Sequence, residues 1–241
     1  MSDVDYKFED GVSIISINRP EKKNSINIEV MNGIQLSLEN ALKDRAKVLI
    51  FKGNGGFFSA GADINQFFDM DENKAFEFSL WGNNLMDRIE RYPGVTLSAI
   101  NGGALGGGLE LALSTDIRIS TKNAKIGLPE VTLGIFPGWG GIKRITRILG
   151  NGIGKYLLIT GKYITGEEGY NLGLINFLDE DPENYAMTIA QNLKNHSSEA
   201  IETIKLLLLQ DIYSEQLEAA YFGKIVTSPI AKEYLQKFKK K

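Results

Sequence analysis

Two periods share the apolar positions of the chain. Val12-Ser-Ile-Ile-Ser-Ile17 alternates well enough for a strand, and Asn18-Arg19-Pro20 closes it because proline cannot donate to a ladder. From Asn27 to Leu42, Ile28, Met31, Ile34, Leu38 and Leu42 recur three or four residues apart, which predicts a helix with one buried face. Lys47-Val-Leu-Ile-Phe51 is a short apolar strand, so the chain opens strand, helix, strand, as an α/β fold does. Asn73 to Arg91 reads as a helix carrying Phe76, Phe78, Leu80, Trp81, Leu85, Met86 and Ile89, more apolar surface than one face uses. That excess either packs in the core or lines a pocket for an apolar ligand.

Thr96 to Ile100, Asp116 to Ser120 and Ala124 to Gly127 read as further strands, and Gly140 to Leu149 as a short basic helix. Thr165-Gly-Glu-Glu168 is a helix-start signal, followed by a brief strand near Ile175. From about Glu183 the pattern predicts three amphipathic helices, broken near Ser197–Ser198 and Ser228–Pro229. The expected division is a core over 1–182 and a helical region over 183–241, working as one unit.

Glycine interrupts this pattern most densely in Asn101-Gly-Gly-Ala-Leu-Gly-Gly-Gly-Leu-Glu110, between a strand and a helix. Glycine is unfavourable in a helix, so Gly106 to Gly108 ahead of Glu110 need a reason. One is a tight helix–sheet contact. The other is that exposed N–H groups stabilise a developing oxyanion while Glu110 moves a proton beside it. Gly53-Asn-Gly-Gly-Phe-Phe-Ser-Ala-Gly-Ala-Asp63 is a second such turn, and it lacks the GxGxxG pattern of a dinucleotide site. Gly150-Asn-Gly-Ile-Gly154-Lys155 is one residue short of a phosphate loop and has Tyr156 where Ser or Thr would bind magnesium. Glu130, between Pro129 and Pro137 among apolar neighbours, is either a loop-surface glutamate or a carboxyl held protonated as a general acid.

Composition narrows the chemistry. The 241 residues are 43% hydrophobic and 24% charged, enough to bury a sizeable core. A net charge of −3 gives no general pull toward nucleic acid or membrane, and the terminal run Lys237, Lys239, Lys240 and Lys241 reads as a solvated tail. No apolar run reaches a membrane span and the start is acidic, so a cytoplasmic protein is expected. Zero cysteines exclude disulfides and thiolate chemistry, and the lone His196 sits in a polar stretch that reads as surface. Proton transfer therefore falls mainly to carboxylates, tyrosines or lysines, with no metal site expected.

Four stretches together resemble one family. Phe58-Ser-Ala-Gly-Ala-Asp63, Gly103-Ala-Leu-Gly-Gly-Gly-Leu-Glu110, Leu128-Pro-Glu130 and Pro137-Gly-Trp-Gly-Gly141 with Arg144 and Leu149 are similar to the crotonase, or enoyl-CoA hydratase/isomerase, superfamily. Asn18-Arg19-Pro20, Thr160-Gly161 and Gly173-Leu174 also fit, so the likeness spans nearly the whole chain. The resemblance implies an α/β spiral of repeated ββα turns, with C-terminal helices that assemble homotrimers or hexamers built as dimers of trimers.

It further implies that the N–H groups of Ala62 and Gly107 form an oxyanion hole, that Glu110 and Glu130 are the two catalytic glutamates, and that Gly138 makes a backbone contact near the reacting water. Lys22, Lys23, Ala60, Asp63, Ile64 and Lys237 are the implied coenzyme A contacts. The substrate would be an acyl-CoA, with no cofactor beyond the coenzyme A that is part of it. Both glutamates together imply an enoyl-CoA hydratase; alternatives are a Δ3,Δ2-enoyl-CoA isomerase or a crotonase-fold module that binds RNA or protein. Leu128 and Trp139 depart from the family pattern, standing where a polar and a small residue are frequent. The bulky residues of 67–81, a segment that varies with acyl length in the family, suggest a short or compact acyl group.

Overall fold

The computed structural model describes residues 2–209 and 214–239, the side chains of 236–239 excepted. Strand β1 (Val4–Glu9) pairs antiparallel with β2 (Val12–Ile17) at the edge of the main sheet. Residues 20–25 then lead to helix α1 (Ile28–Lys43), capped by Asn27, whose side-chain oxygen accepts from the Val30 N–H at 2.9 Å. Strand β3 (Val48–Gly53) returns parallel to β2, and helix α2 (Glu72–Glu90) follows. Next come β4 (Val95–Ile100), the short β5 (Gly103–Leu105) and α3 (Gly107–Leu113). The last turn is β6 (Ile117–Ser120), β7 (Lys125–Gly127) and α4 (Gly141–Thr160). Strand β8 (Ile164–Thr165), α5 (Gly166–Asn171) and β9 (Phe177–Leu178) complete the sheets.

The main sheet runs β1-β2-β3-β4-β6-β9, all parallel after the first pair, and a second sheet runs β5-β7-β8. Between β2, β3, β4 or β6 and the helix after it, the chain touches this second layer. It does so as the isolated bridges Ile26↔Ala62 and Ser59↔Ala104, then as β5 against β7. That repeat, main strand, second-layer strand, helix, is the expected ββα spiral. It stacks the turns after successive main strands on one another, which puts Ala62 beside the start of α3.

Parallel strands covered on both faces need continuous apolar runs, and every residue of β4 is buried. One face of the sheet meets α1, α2 and α3 around Phe51, Phe58, Leu85 and Leu109. The opposite face is covered by α6 (Pro182–Leu193), through Ala186 and Ala190. Helices α7 (Ser198–Leu208), α8 (Glu215–Val226) and α9 (Pro229–Lys239) finish the chain, and α7 and α8 bury no residue fully.

Three expectations need correction. The chain opens strand, strand, helix, strand rather than strand, helix, strand, because Val4, Tyr6 and Phe8 alternate with charged residues to form β1. The basic helix does not end at Leu149; it bends at Gly150 and continues to Thr160, absorbing the near-miss phosphate loop. Among the described residues the helical tail holds four helices, not three, because α7 ends at Leu208. Among the described residues no helix is long and apolar enough to cross a membrane.

Candidate active site

The two glycine-rich turns meet at a cavity of about 430 Å3, also lined by α2 and by residues 129–139. In the first turn Ile26 donates to the Gly61 carbonyl at 2.8 Å and Asp63 donates to the Ile26 carbonyl at 2.9 Å. Alternation along this extended segment turns the Ala62 N–H the other way, toward the cavity. In the second turn Gly106 holds φ 50°, ψ −128°, a conformation a side chain disfavours, and it lets the chain reverse into α3. A Cβ on Gly107 would lie 3.2 Å from the Ala62 nitrogen, so the two amides are neighbours. Neither donates a hydrogen bond within the described residues.

Only Gly102 and Gly106 of the five glycines in this run have positive φ. Gly103 and Gly108 serve close approach instead: a Cβ there would fall 2.6 Å from the Lys125 carbonyl oxygen and 2.5 Å from that of Ser59. Tight packing therefore accounts for Gly103 and Gly108, while the Gly107 amide has no partner among the described residues.

Glu110 lies in α3, which is buried throughout, and its Oε1 accepts from the N–H groups of Trp139 and Gly141, each at 2.8 Å. Burial pushes its carboxyl up to about 7; the Gly141 and Trp139 amides and Arg144 pull against this, and the neighbouring Glu130 charge adds to it. Glu130 opens a single turn of 3-10 helix (Glu130–Leu133) and is buried too. Its Oε1 faces Gly106, since a Cβ there would come within 3.0 Å of it, and its buried Oε2 has no hydrogen-bond partner among the described residues. Burial raises this carboxyl as well, against a bond from its own N–H. Two carboxyls beside two unused amides can take a proton from one atom and give one to another while stabilising an oxyanion between them.

A family model described as enoyl-CoA hydratase/isomerase matches residues 7–238. The chain belongs to that family. It is similar to a probable enoyl-CoA hydratase of Bacillus subtilis, 34% identical with 100% of this chain and 97% of that protein covered. It is also similar to a short-chain-enoyl-CoA hydratase of Clostridium acetobutylicum, 35% identical over 85% of this chain and 80% of the other. Among solved structures, an enoyl-CoA hydratase from Thermoplasma volcanium superposes with a TM-score of 0.93 at 33% identity, covering 98% of this chain and 97% of that one.

In this hydratase/isomerase family member, Ala62, Gly107, Glu110, Glu130 and Gly138 all line the one cavity, together with Ala60 and Ile64. The Gly138 carbonyl is already engaged, by Ser79 Oγ at 2.7 Å and Asn83 Nδ2 at 2.6 Å. Lys22 and Lys23 are exposed on the loop after β2, and the Lys23 carbonyl accepts from the Ala60 N–H at 2.9 Å, joining that loop to the first glycine turn. Asp63 does not line the cavity; its carboxylate caps residues 64–67 through Asn65 and faces Arg19 at 3.5 Å. The Lys237 side chain lies outside the described residues. His196 is exposed, and among the described residues no three His, Asp or Glu side chains gather to hold a metal. Leu128 is buried in the core, and Phe78 serves both the core and the cavity wall.

Three roles escaped the sequence reading. The amides of Trp139 and Gly141 orient Glu110, although the Pro137–Gly141 motif pointed only to Gly138. Arg144, read as part of a basic helix, is 2% exposed and pairs with Glu90 at 2.9 Å and Asp87 at 2.5 Å. The family resemblance includes Arg144 without giving it a role, and its partners could not be read locally because both acids come from α2.

Proposed function

We propose that the chain is an enoyl-CoA hydratase, adding water across the 2,3 double bond of a trans-2-enoyl-CoA to give a 3-hydroxyacyl-CoA, or running the reverse dehydration. The observation that carries this is the pairing of two buried carboxyls, Glu110 and Glu130, on one cavity with the Ala62 and Gly107 amides. Glu110, anchored through Oε1, takes a proton from water as the water oxygen bonds to C3. The π electrons move onto the thioester oxygen, and the enolate so formed is held by the N–H groups of Ala62 and Gly107. Each such donor is worth about 2.7–4 kcal/mol to a developing oxyanion. Glu130 then gives its proton to C2, and the two glutamates exchange a proton before the next turnover.

Burial raises both carboxyls, which brings Glu110 near neutrality as a base and favours the protonated form of Glu130 as an acid. The backbone contact to water assigned to Gly138 falls to its N–H, since its carbonyl is occupied. Ala60, Ile64 and the Lys22–Lys23 loop receive coenzyme A, with Asp63 bracing the turn and Lys237 a further phosphate contact. No separate cofactor enters the reaction.

The same reading includes a homotrimer or a hexamer and a cytoplasmic location. Leu208, Phe222 and Leu235 stand 74%, 70% and 51% exposed on α7, α8 and α9, apolar surface that a second copy would cover. Light scattering would give three or six chain masses.

Crotonyl-CoA hydration, followed as loss of the conjugated thioester absorbance, tests the activity. No turnover of any trans-2-enoyl-CoA by folded oligomer would overturn it. Turnover of 3-enoyl-CoA alone would favour the isomerase, and a binding role would survive loss of both glutamates.

A further inference from the structure

Trp139 is a large side chain on the wall of the cavity, and its surroundings are carved to take it. The indole is 3% exposed. A Cβ on Gly82 of α2 would lie 2.1 Å from its Cδ1, and a Cβ on Gly107 would lie 2.4 Å from its Cζ3. The ring is thus clamped between α2 and the second glycine turn, each approaching where it carries no side chain, and close packing leaves it no room to swing. Phe78 stacks against it at 5.5 Å between centroids, tilted 58°, and Phe67 meets Phe78 edge-on at 5.9 Å. The three rings form one apolar wall from the reacting centre outward along the cavity.

Position decides what that wall does. The Trp139 N–H holds Glu110 at 2.8 Å, and the indole abuts Gly107, the residue whose amide we assign to the thioester oxygen. The ring therefore starts where the reacting carbons end. A cavity of about 430 Å3 has to receive the thioester end of the pantetheine arm as well as the acyl group. That is near the small end of the roughly 300–1,000 Å3 typical of ligand pockets. We propose that the Trp139 indole, seated between Gly82 and Gly107, closes the acyl pocket and restricts the site to short-chain 2-enoyl thioesters. The inference rests on the hydratase reading, and it places the acyl-length limit on a residue outside the 67–81 segment.

The test compares wild type with Trp139→Ala, and with Trp139→Leu in case the alanine variant does not fold. kcat/KM is measured on trans-2-enoyl-CoA of four, six, eight and ten carbons. In wild type, kcat/KM should fall by about tenfold or more between four and eight carbons, and the eight-to-four ratio should rise by about tenfold or more in a folded variant. Unchanged ratios in folded, active variants would overturn the proposal. Calorimetric titration with saturated butanoyl-CoA and octanoyl-CoA reads pocket depth without turnover, so a protein that hydrates nothing sinks the hydratase reading separately. There the wild type should favour butanoyl-CoA and the variant should lose that preference. Equal binding of both by wild type, or binding of neither, would overturn the closed pocket.

Discussion

The guanidinium of buried Arg144 donates from Nη1 to the carbonyl oxygen of Trp139 at 3.0 Å. Trp139 in turn donates its N–H to Glu110, so the arginine fixes the residue that orients a candidate base. Arg144 is held from the other side by Glu90 and Asp87. Replacing it with methionine leaves Glu90 partly buried with only Arg147 as partner. Because Arg147 still faces Glu90 and Asp87 is well exposed, urea unfolding of Arg144→Met should show a loss smaller than the roughly 3–5 kcal/mol of a buried charge left unpaired.

Glu110→Gln and Glu130→Gln should each lower kcat by about 10²–10⁴-fold, the usual contribution of a general acid or base. Binding of a saturated acyl-CoA should survive both changes. Stopped-flow single turnover separates the chemical step from release; an undiminished rate in either variant would remove that residue from the mechanism.

The raised carboxyls fix the pH dependence. With Glu110 at about 7 acting as base, kcat/KM should rise as pH increases through neutrality. Because the Glu130 charge adds to the Glu110 shift, the rising limb reports the pair rather than either residue. A pH–rate profile of the wild type, with the rising limb lost in Glu110→Gln, is the expected result.

Stability responds with the opposite slope. A carboxyl whose pKa is higher folded than unfolded favours the fold below its unfolded value, and that contribution is lost as pH rises through the folded one. For Glu110 the window runs from 4.5 to about 7 and is worth on the order of 3 kcal/mol. Glu110→Gln should therefore raise the melting temperature more at pH 8 than at pH 5, as read by calorimetry.

Gly106→Ala should damage the second turn. Its φ of 50° disfavours a side chain, and the new methyl would lie 3.0 Å from Glu130 Oε1. Displacing the Gly107 amide should cost about 10²–10³-fold in kcat, as loss of one oxyanion donor does. A Gly106→Ala variant that keeps wild-type kcat would take that amide out of the site.

Much of this was legible in the chain. The helix at Asn27–Leu42 followed from three- and four-residue spacing, and the Thr165–Glu168 start is present as a reciprocal cap. Strand β1 was equally readable in Val4, Tyr6 and Phe8, but its charged outer face disguised it. The break within the helical tail was not, because nothing in the Leu206–Leu209 run marks a helix end.

By itself the sequence determined most of the elements, the two glycine turns and the presence of two glutamates in unusual settings, because periodicity and backbone freedom are local properties. Only the tertiary structure decided that Ala62 and Gly107 are neighbours, that Arg144 is buried against Asp87 and Glu90, and that Trp139 fits between Gly82 and Gly107. Those relationships join residues far apart in the chain, and they arise where the turns of the spiral stack. Burial there, rather than residue type, raises the two carboxyls and closes the pocket.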